Sequence, residues 1–360
     1  MANRFQDYDF TDLDNYPNVG YNNNNELIEL QYEGNRYLRP YNSKLIMSPE
    51  AIAERDKCRD NLEYFVERWC KVLTLEKGIT NIKLRKYQSK FLKILQDERF
   101  ILSMQSRRAG KTTSAALFKK DYQAGISANT SKLTLDIVRM IQQIYELLPP
   151  FLQSGIKKFN ASTIELSNGS RVSSAVIGGS AHRGGALNFL LVDEAAFCDA
   201  KKYNAFEDSV LPTLQTSDKT KILKVSTPNG FNHFHKDWNE AISGKSGYVT
   251  FLVTWHDIEF YTQEWADGEI SRKGILYFNQ NYVCSFIGSS ATLLAPETIS
   301  GLIRNIPIVE DYLYTGINLY EEYDENSFYV GTLDSSKTIG ASDSDNDFLS
   351  FNILKLGNKK

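Results

Sequence analysis

The stretch Ser106-Arg107-Arg108-Ala109-Gly110-Lys111-Thr112-Thr113 lies between an apolar run, Phe100-Ile101-Leu102, and a helix-forming one, Ser114-Ala115-Ala116-Leu117-Phe118. A strand that turns through Gly-Lys-Thr into a helix aims backbone N–H groups and the positive helix end at one point, which suits phosphate oxygens. In that geometry Lys111 reaches the outer phosphates of a nucleoside triphosphate and Thr112 reaches its magnesium, while Ser106, Arg107, Arg108, Ala109, Gly110 and Thr113 complete the cradle. The usual pattern opens with a glycine five residues before the Gly-Lys pair, where this chain has Gln105. A plain strand-to-helix turn that uses Gly110 for its backbone freedom would read the same locally, so the motif needs support from elsewhere.

That support comes from Phe189-Leu190-Leu191-Val192-Asp193-Glu194, a continuous apolar run ending in two adjacent carboxylates. The run suits a strand buried on both faces. A carboxylate ending such a strand helps hold Mg²⁺ in P-loop NTPases, a role that falls to Asp193. Where such a strand ends Asp-Glu, the second acid activates the attacking water, here Glu194. A solvated acidic turn is the alternative. A further strand is expected at Lys221-Ile222-Leu223-Lys224-Val225-Ser226, running into Thr227-Pro228-Asn229-Gly230. Ligands of open α/β sheets sit at the carboxyl ends of strands, which would put Ser226 and Thr227 near the terminal phosphate. The same residues also fit a polar turn chosen for Pro228 and Gly230.

Taken together these stretches resemble the large terminase subunit of tailed bacteriophages, a DNA-packaging motor ATPase, and especially its T-even-like group. The resemblance is carried by Leu84-Arg85-Lys86-Tyr87-Gln88, the Ser106 to Thr113 turn, Leu190-Leu191-Val192-Asp193-Glu194-Ala195-Ala196-Phe197, Ser226-Thr227-Pro228-Asn229-Gly230 and Phe286-Ile287-Gly288-Ser289-Ser290, with weaker similarity from about Asp60 to the C-terminus. Members of that family commonly lack the first glycine and carry Ser-Arg at this point. The resemblance implies that Tyr87 and Gln88 lie on the adenine side, and that Ser226, Thr227 and Asn229 couple hydrolysis to movement. Arg107 matches a candidate cis-acting finger, a group worth about 10³–10⁵ in rate; it also suits simple phosphate binding. Arg183, in His182-Arg183-Gly184-Gly185, is a second candidate.

The implied cofactors are ATP and Mg²⁺. The implied partners are double-stranded DNA, the portal protein, the small terminase subunit and further copies in a ring on the portal, within the host cell cytoplasm and transiently on the viral procapsid. Two departures stand out. Between Thr113 and Leu133 the chain is shorter than its relatives, with Ala124-Gly125-Ile126-Ser127-Ala128 matching the next family strand. Near the end, Phe328-Tyr329-Val330-Gly331-Thr332-Leu333-Asp334-Ser335-Ser336 resembles the opening strand of the family's ribonuclease-H-like nuclease domain, with Asp334 as its first metal-binding acid. The sequence then ends at Lys360. Two-metal hydrolysis needs several converging carboxylates, so no DNA cleavage is expected, and Asp343, Asp345 and Asp347 are expected in a solvated loop.

Composition fits this scheme. With 360 residues, 42% hydrophobic and 24% charged, the chain can bury a sizeable core across about two domains. A net charge of −3 and pI about 5.9 exclude the global basic field of a tight nucleic-acid binder. Cys58, Cys70, Cys198 and Cys284 are widely spaced and indicate neither zinc nor a disulfide framework. His233 and His235 are two apart, a spacing that could place both on one face of a strand; with no acid or cysteine at fitting spacing they read as surface histidines, and no metal is assigned to them. No basic-then-apolar leader or membrane-length run is read at the N-terminus.

The predicted fold class is α/β, a RecA-like P-loop NTPase with a mostly parallel sheet flanked by helices, plus a small helical lid subdomain and the start of a ribonuclease-H-like domain. The predicted divisions are a poorly ordered N-terminal arm over 1–46, rich in Asn, Tyr and Asp, with aromatics able to dock; the ATPase core over 47–255; the lid over 256–319; and a linker with the truncated nuclease start over 320–360. Helix formation is expected from Ser48 as N-cap with Pro49 following. Leu62, Phe65, Val66 and Trp69 form an apolar stripe facing the core. Three functions remain open: a packaging motor, a P-loop helicase or remodeller, and a fragment that binds nucleotide without turnover. No second RecA-like domain is legible after residue 255, which disfavours the helicase.

Overall fold

The computed structural model describes residues 8–74, 78–106, 122–179, 181–182, 186–214, 217, 219–286, 321–334 and 350–358. By internal contact the chain divides into two compact units, Met1–Pro296 and Glu297–Lys360. In the first unit the elements are β1 (Val19–Tyr21), β2 (Leu27–Glu29), β3 (Lys44–Leu45), α1 (Pro49–Asp60), α2 (Leu62–Trp69), β4 (Lys71–Thr74), β5 (Gly78–Asn81), α3 (Lys86–Asp97), β6 (Phe100–Gln105), β7 (Gln123–Ala128) and α4 (Ser131–Glu146). They continue with β8 (Ile156–Asn160), β9 (Thr163–Leu166), β10 (Arg171–Val176), β11 (Phe189–Asp193), α5 (Ala200–Leu214), β12 (Lys221–Ser226), α6 (His233–Ile242), β13 (Val249–Val253), α7 (Gln263–Lys273) and α8 (Ile275–Phe278).

The main sheet has eight strands in the order β13-β6-β12-β11-β7-β10-β9-β8. The first six run parallel and the last two are antiparallel additions. Strand alternation sorts the apolar runs to two faces. Ile101, Ile126, Leu191, Leu223 and Phe251 face one core, shared with Phe65 and Trp69 of α2, Phe91 of α3 and Ile137 and Ile141 of α4. Leu102, Met104, Leu190, Val192 and Ile222 face the other, shared with Tyr203 and Phe206 of α5 and Phe234 and Trp238 of α6. This is the parallel sheet with helices on both faces that the alternating pattern predicts, and the α/β class of the sequence reading holds.

Helix ends follow their caps. Ser48 accepts from the Ala51 N–H with Pro49 in first position, and Asn61 and Thr130 cap α2 and α4 in the same way. The stripe of α2 is buried as its spacing predicts. From His256 the chain is helical and aromatic in its described part. Trp255, Ala266, Phe278 and Tyr282 form a separate small core there, and Asn279–Val283 is a π-turn.

The expected disorder of the N-terminal arm is corrected for residues 8–46. β1 pairs antiparallel with β2 and β3. Tyr16 meets Phe151 edge-on at 5.2 Å, and its hydroxyl donates to the Ile46 carbonyl at 3.0 Å. The asparagine run that suggested disorder is a hairpin loop, in which the Asn22 side-chain oxygen accepts from the N–H groups of Asn24 and Glu26 at 2.9 and 3.0 Å.

In the second unit, β14 (Ser327–Asp334) and β15 (Ser350–Asn358) form an antiparallel hairpin. The described part of the expected linker turns onto it: Asp324 accepts from the Ser327 hydroxyl at 2.6 Å and pairs with Lys355 at 3.3 Å. These hydrogen bonds, with that of the Asn326 N–H, hold the Asp324 carboxyl down at about 2. Asp343, Asp345 and Asp347 lie outside the described residues. Among the described residues no helix is long and apolar enough to cross a membrane.

Candidate nucleotide site

The sheet order defines the site. β12 lies between β6 and β11, and all three are parallel, so their carboxyl ends open on the same edge. Asp193 is in register with Val225, and Val225 with Ser103. Asp193 and the last residues of β6 are therefore two strand spacings apart, about 10 Å. The connection leaving β6 returns at β7, beyond β12 and β11, whereas that leaving β12 returns at β13, on the other side of β6. Adjacent strands whose connections leave in opposite directions mark a topological switch point, where open α/β sheets take ligands.

β6 continues as extended chain to Ser106, whose N–H donates to the Val253 carbonyl at 2.8 Å. Gln105 is buried in the strand itself, its amide donating to the Ser103 hydroxyl at 2.7 Å. A strand position has no use for the conformational freedom of glycine, which accounts for the departure from the usual pattern.

Next to it, β11 ends in a tight turn. Glu194 has φ 51° and ψ 43°, the left-handed region that a non-glycine residue occupies at a cost of about 1–3 kcal/mol. One oxygen of each acid, Oδ1 of Asp193 and Oε2 of Glu194, is shielded from solvent. The turn closes through the Phe197 N–H, which donates to the Glu194 carbonyl at 3.0 Å. It is also gripped from outside: the Ser226 hydroxyl accepts from the Ala196 N–H at 3.1 Å, and the Asn229 and Asn232 amides donate to the Ala196 carbonyl at 3.2 and 2.6 Å. His233 Nε2 donates to the Ala195 carbonyl at 2.8 Å. Burial pushes the neighbouring Cys198 thiol up to about 12, helped by the charges of Glu194 and Asp199, so it stays protonated.

Two residues back along β12, the Lys224 ammonium is buried between the Asp237 carboxylate, at 2.9 Å, and that of Glu207. The Tyr203 hydroxyl donates to the same Asp237 oxygen at 3.0 Å. On the far side of the turn, the Gln280 amide donates to the Pro228 carbonyl at 2.9 Å, linking the π-turn to the segment after β12.

Residues 102–300, more than half of the chain, match the family described as "Terminase large subunit, T4likevirus-type, N-terminal". The chain belongs to the terminase large-subunit family. Among solved structures, the large terminase of bacteriophage HK97 matches with a TM-score of 0.51 at 14% identity, over 62% of this chain and 54% of its own, which shows a shared fold. Weaker matches include a mutant ATPase domain of the Thermus phage P74-26 large terminase (TM-score 0.46, 18% identity, 57% of this chain and 95% of that one). The large terminase of a thermophilic bacteriophage, solved in complex with ATP-gamma-S, matches at TM-score 0.43 and 16% identity, over 57% of this chain and 53% of its own. The chain spans about half the length of the HK97 protein and of this last one.

The terminase chain brings together Asp193, Glu194, Ser226, Thr227 and Asn229 at one sheet edge, with Ser106 at the end of the neighbouring strand. Arg107, Arg108, Ala109, Gly110, Lys111, Thr112, Thr113 and Arg183 lie outside the described residues. Tyr87 and Gln88 stand in the first turn of α3, where Gln88 Oε1 accepts from the Arg85 N–H at 3.0 Å and the Tyr87 hydroxyl accepts from Arg85 Nη1 at 3.1 Å. Asp334 ends β14, in the second unit. One expectation is corrected: His233 and His235 open helix α6 rather than sharing a strand face, because Asn232 caps that helix, and His233 touches the acid turn. Sequence reasoning missed Asn232, Lys224 and Gln280. The capping signal of an Asn just after Gly230-Phe231 was legible for the first; a lysine inside an apolar strand was legible for the second.

Proposed function

We propose that this chain is an ATP-hydrolysing motor subunit that moves double-stranded DNA into a procapsid, working in the host cytoplasm with the portal protein, the small terminase subunit and further copies of itself. The observation that carries the reading is the interposition of β12 between the strand that leads into the Gly-Lys-Thr turn and the strand that ends in Asp193-Glu194, within a member of the terminase family. Carboxylate and hydroxyl oxygens are the donors Mg²⁺ prefers, and Asp193 at the end of β11 with Thr112 supplies that set; the ion would neutralise charge on the phosphates. In this reading Lys111 and the backbone of 106–113 hold the phosphates and Tyr87 with Gln88 flank the base. Arg107 stabilises charge on the transferring phosphoryl group, and Glu194 takes a proton from the attacking water. Residues 47–255 then form the ATPase core and 256–319 a lid. Ser226, Thr227 and Asn229 sense the terminal phosphate, and the Gln280 to Pro228 contact passes the change to the lid.

The test compares ATP turnover by the full chain and by Glu194→Gln, with and without linear duplex DNA. Hydrolysis abolished by the substitution, with nucleotide binding retained, is expected. Equal turnover by both proteins removes Glu194 from the chemistry, and a parent that binds but never turns over is instead an inert nucleotide-binding fragment. Lys111→Ala should lose nucleotide binding.

A further inference from the structure

We infer that Asn232 and His233 are positioning residues for Glu194, forming a clamp that holds the acid turn and ties it to helix α6. The inference rests on the reading of Glu194 as the group that acts on water. A general base must be held in place by groups whose own conformations are locked. The left-handed backbone of Glu194 is disfavoured in isolation and persists only where its surroundings over-determine it. The turn's own bonds, Phe197 N–H to the Glu194 carbonyl at 3.0 Å and Cys198 N–H to the Ala195 carbonyl at 3.3 Å, leave room for a second donor at Ala195 and for donors from outside the turn at Ala196. The segment after β12 supplies them: His233 at Ala195, and Asn232 at Ala196 at a shorter distance than Asn229.

Asn232 divides its amide between two tasks. Its oxygen caps α6, accepting from the N–H groups of Phe234 and His235 at 3.1 and 3.4 Å, while its nitrogen donates to the Ala196 carbonyl at 2.6 Å. A carbonyl only accepts, so His233 carries its hydrogen on Nε2, directed at the Ala195 oxygen. The imidazole cannot swing away because it stacks on Tyr203, with ring centroids 4.1 Å apart. Tyr203 is in turn held by Asp237, the partner of Lys224 on β12. Glu194 is thereby fastened to the strand that carries Ser226 by three routes, through Ser226 itself, through Asn229 just after the strand, and through the start of α6.

Capping and clamping separate cleanly in Asn232→Asp. The aspartate keeps an oxygen for the helix cap but turns an acceptor toward the Ala196 carbonyl; Asn232→Ser caps without the added charge. For both, the melting temperature and the affinity for a fluorescent ATP analogue with Mg²⁺ are expected to match those of the parent. The value of kcat should fall by about tenfold or more at unchanged KM, the signature of lost transition-state interactions. His233→Gln, which keeps an N–H donor, should retain several times the turnover of His233→Leu. Variants that turn over like the parent, while Glu194→Gln is inactive, would overturn the clamp and leave the ATPase reading standing. Parallel losses of stability, binding and turnover would reduce Asn232 to a structural cap. If the parent itself fails to hydrolyse, or Glu194→Gln matches it, the underlying reading falls and the clamp with it.

Discussion

Replacing Lys224 by Met tests whether the buried charge cluster supports the strand that carries Ser226. The Lys224 side chain is 3% exposed, and its partners Glu207 and Asp237 are 22% and 19% exposed. Removing one member of a buried pair costs about 3–5 kcal/mol, because the remaining charge is left uncompensated. Both carboxylates keep some contact with water, which puts the expected loss at the lower end, about 3 kcal/mol. With a urea slope of about 3 kcal/mol/M, the unfolding midpoint followed by tryptophan fluorescence should move down by about 1 M. Replacing all three by Met, Gln and Asn should recover most of the loss, since a satisfied neutral cluster does not need the cation. The pH dependence has a defined sign. Burial pulls the ammonium's pKa down, but Tyr203, Tyr248, Asp237 and Glu207 outweigh it and hold the value above the ordinary lysine value of 10.5. The contribution is therefore complete below that pH and fades as pH rises beyond it. A single substitution that costs less than about 0.5 kcal/mol, the range of neutral surface changes, would refute the reasoning.

Two further outcomes are expected. A methyl group added by Gly20→Ala would stand 2.1 Å from the Lys44 carbonyl oxygen, so β1 and β3 must part; the cost should reach about 1–3 kcal/mol, as for other overpacked sites, and limited proteolysis should cut within residues 8–46 first. Burial, with a lesser push from Arg171, lowers the pKa of His182 below 6.5 against a hydrogen bond to the Ile126 backbone. A depressed histidine gives stability that is complete above about pH 6.5 and declines below it; an NMR titration midpoint at or above the free-histidine value would contradict this.

Much of the fold was legible in the sequence because its strands are near-continuous apolar runs and its helices open on Ser, Asn and Thr caps. Phe189 to Asp193 and Lys221 to Ser226 lie where their composition puts them, and α2 buries the stripe its spacing marks. The order of strands was not legible: that β12 separates β6 from β11 depends on non-local pairing, which local composition does not encode. The Asn22 to Asn25 run misled because polar composition marks a hairpin turn as readily as a disordered arm, and Tyr16 and Leu38 anchor the segment from outside that run. At the site, Asp193, Glu194 and Ser226 could be read from strand endings, whereas Asn232 and His233 reach the acid turn only because α6 starts beside it.

Had β11 been the immediate neighbour of β6, its terminal acids would stand one strand width, about 5 Å, from the start of the phosphate turn. That gap would be filled by side chains alone. The extra strand doubles the separation to about 10 Å, the spacing on which the proposed nucleotide site rests. The strand that sets this spacing is the one that carries Ser226, so the spacer and the polar group that grips the acid turn belong to the same stretch of backbone.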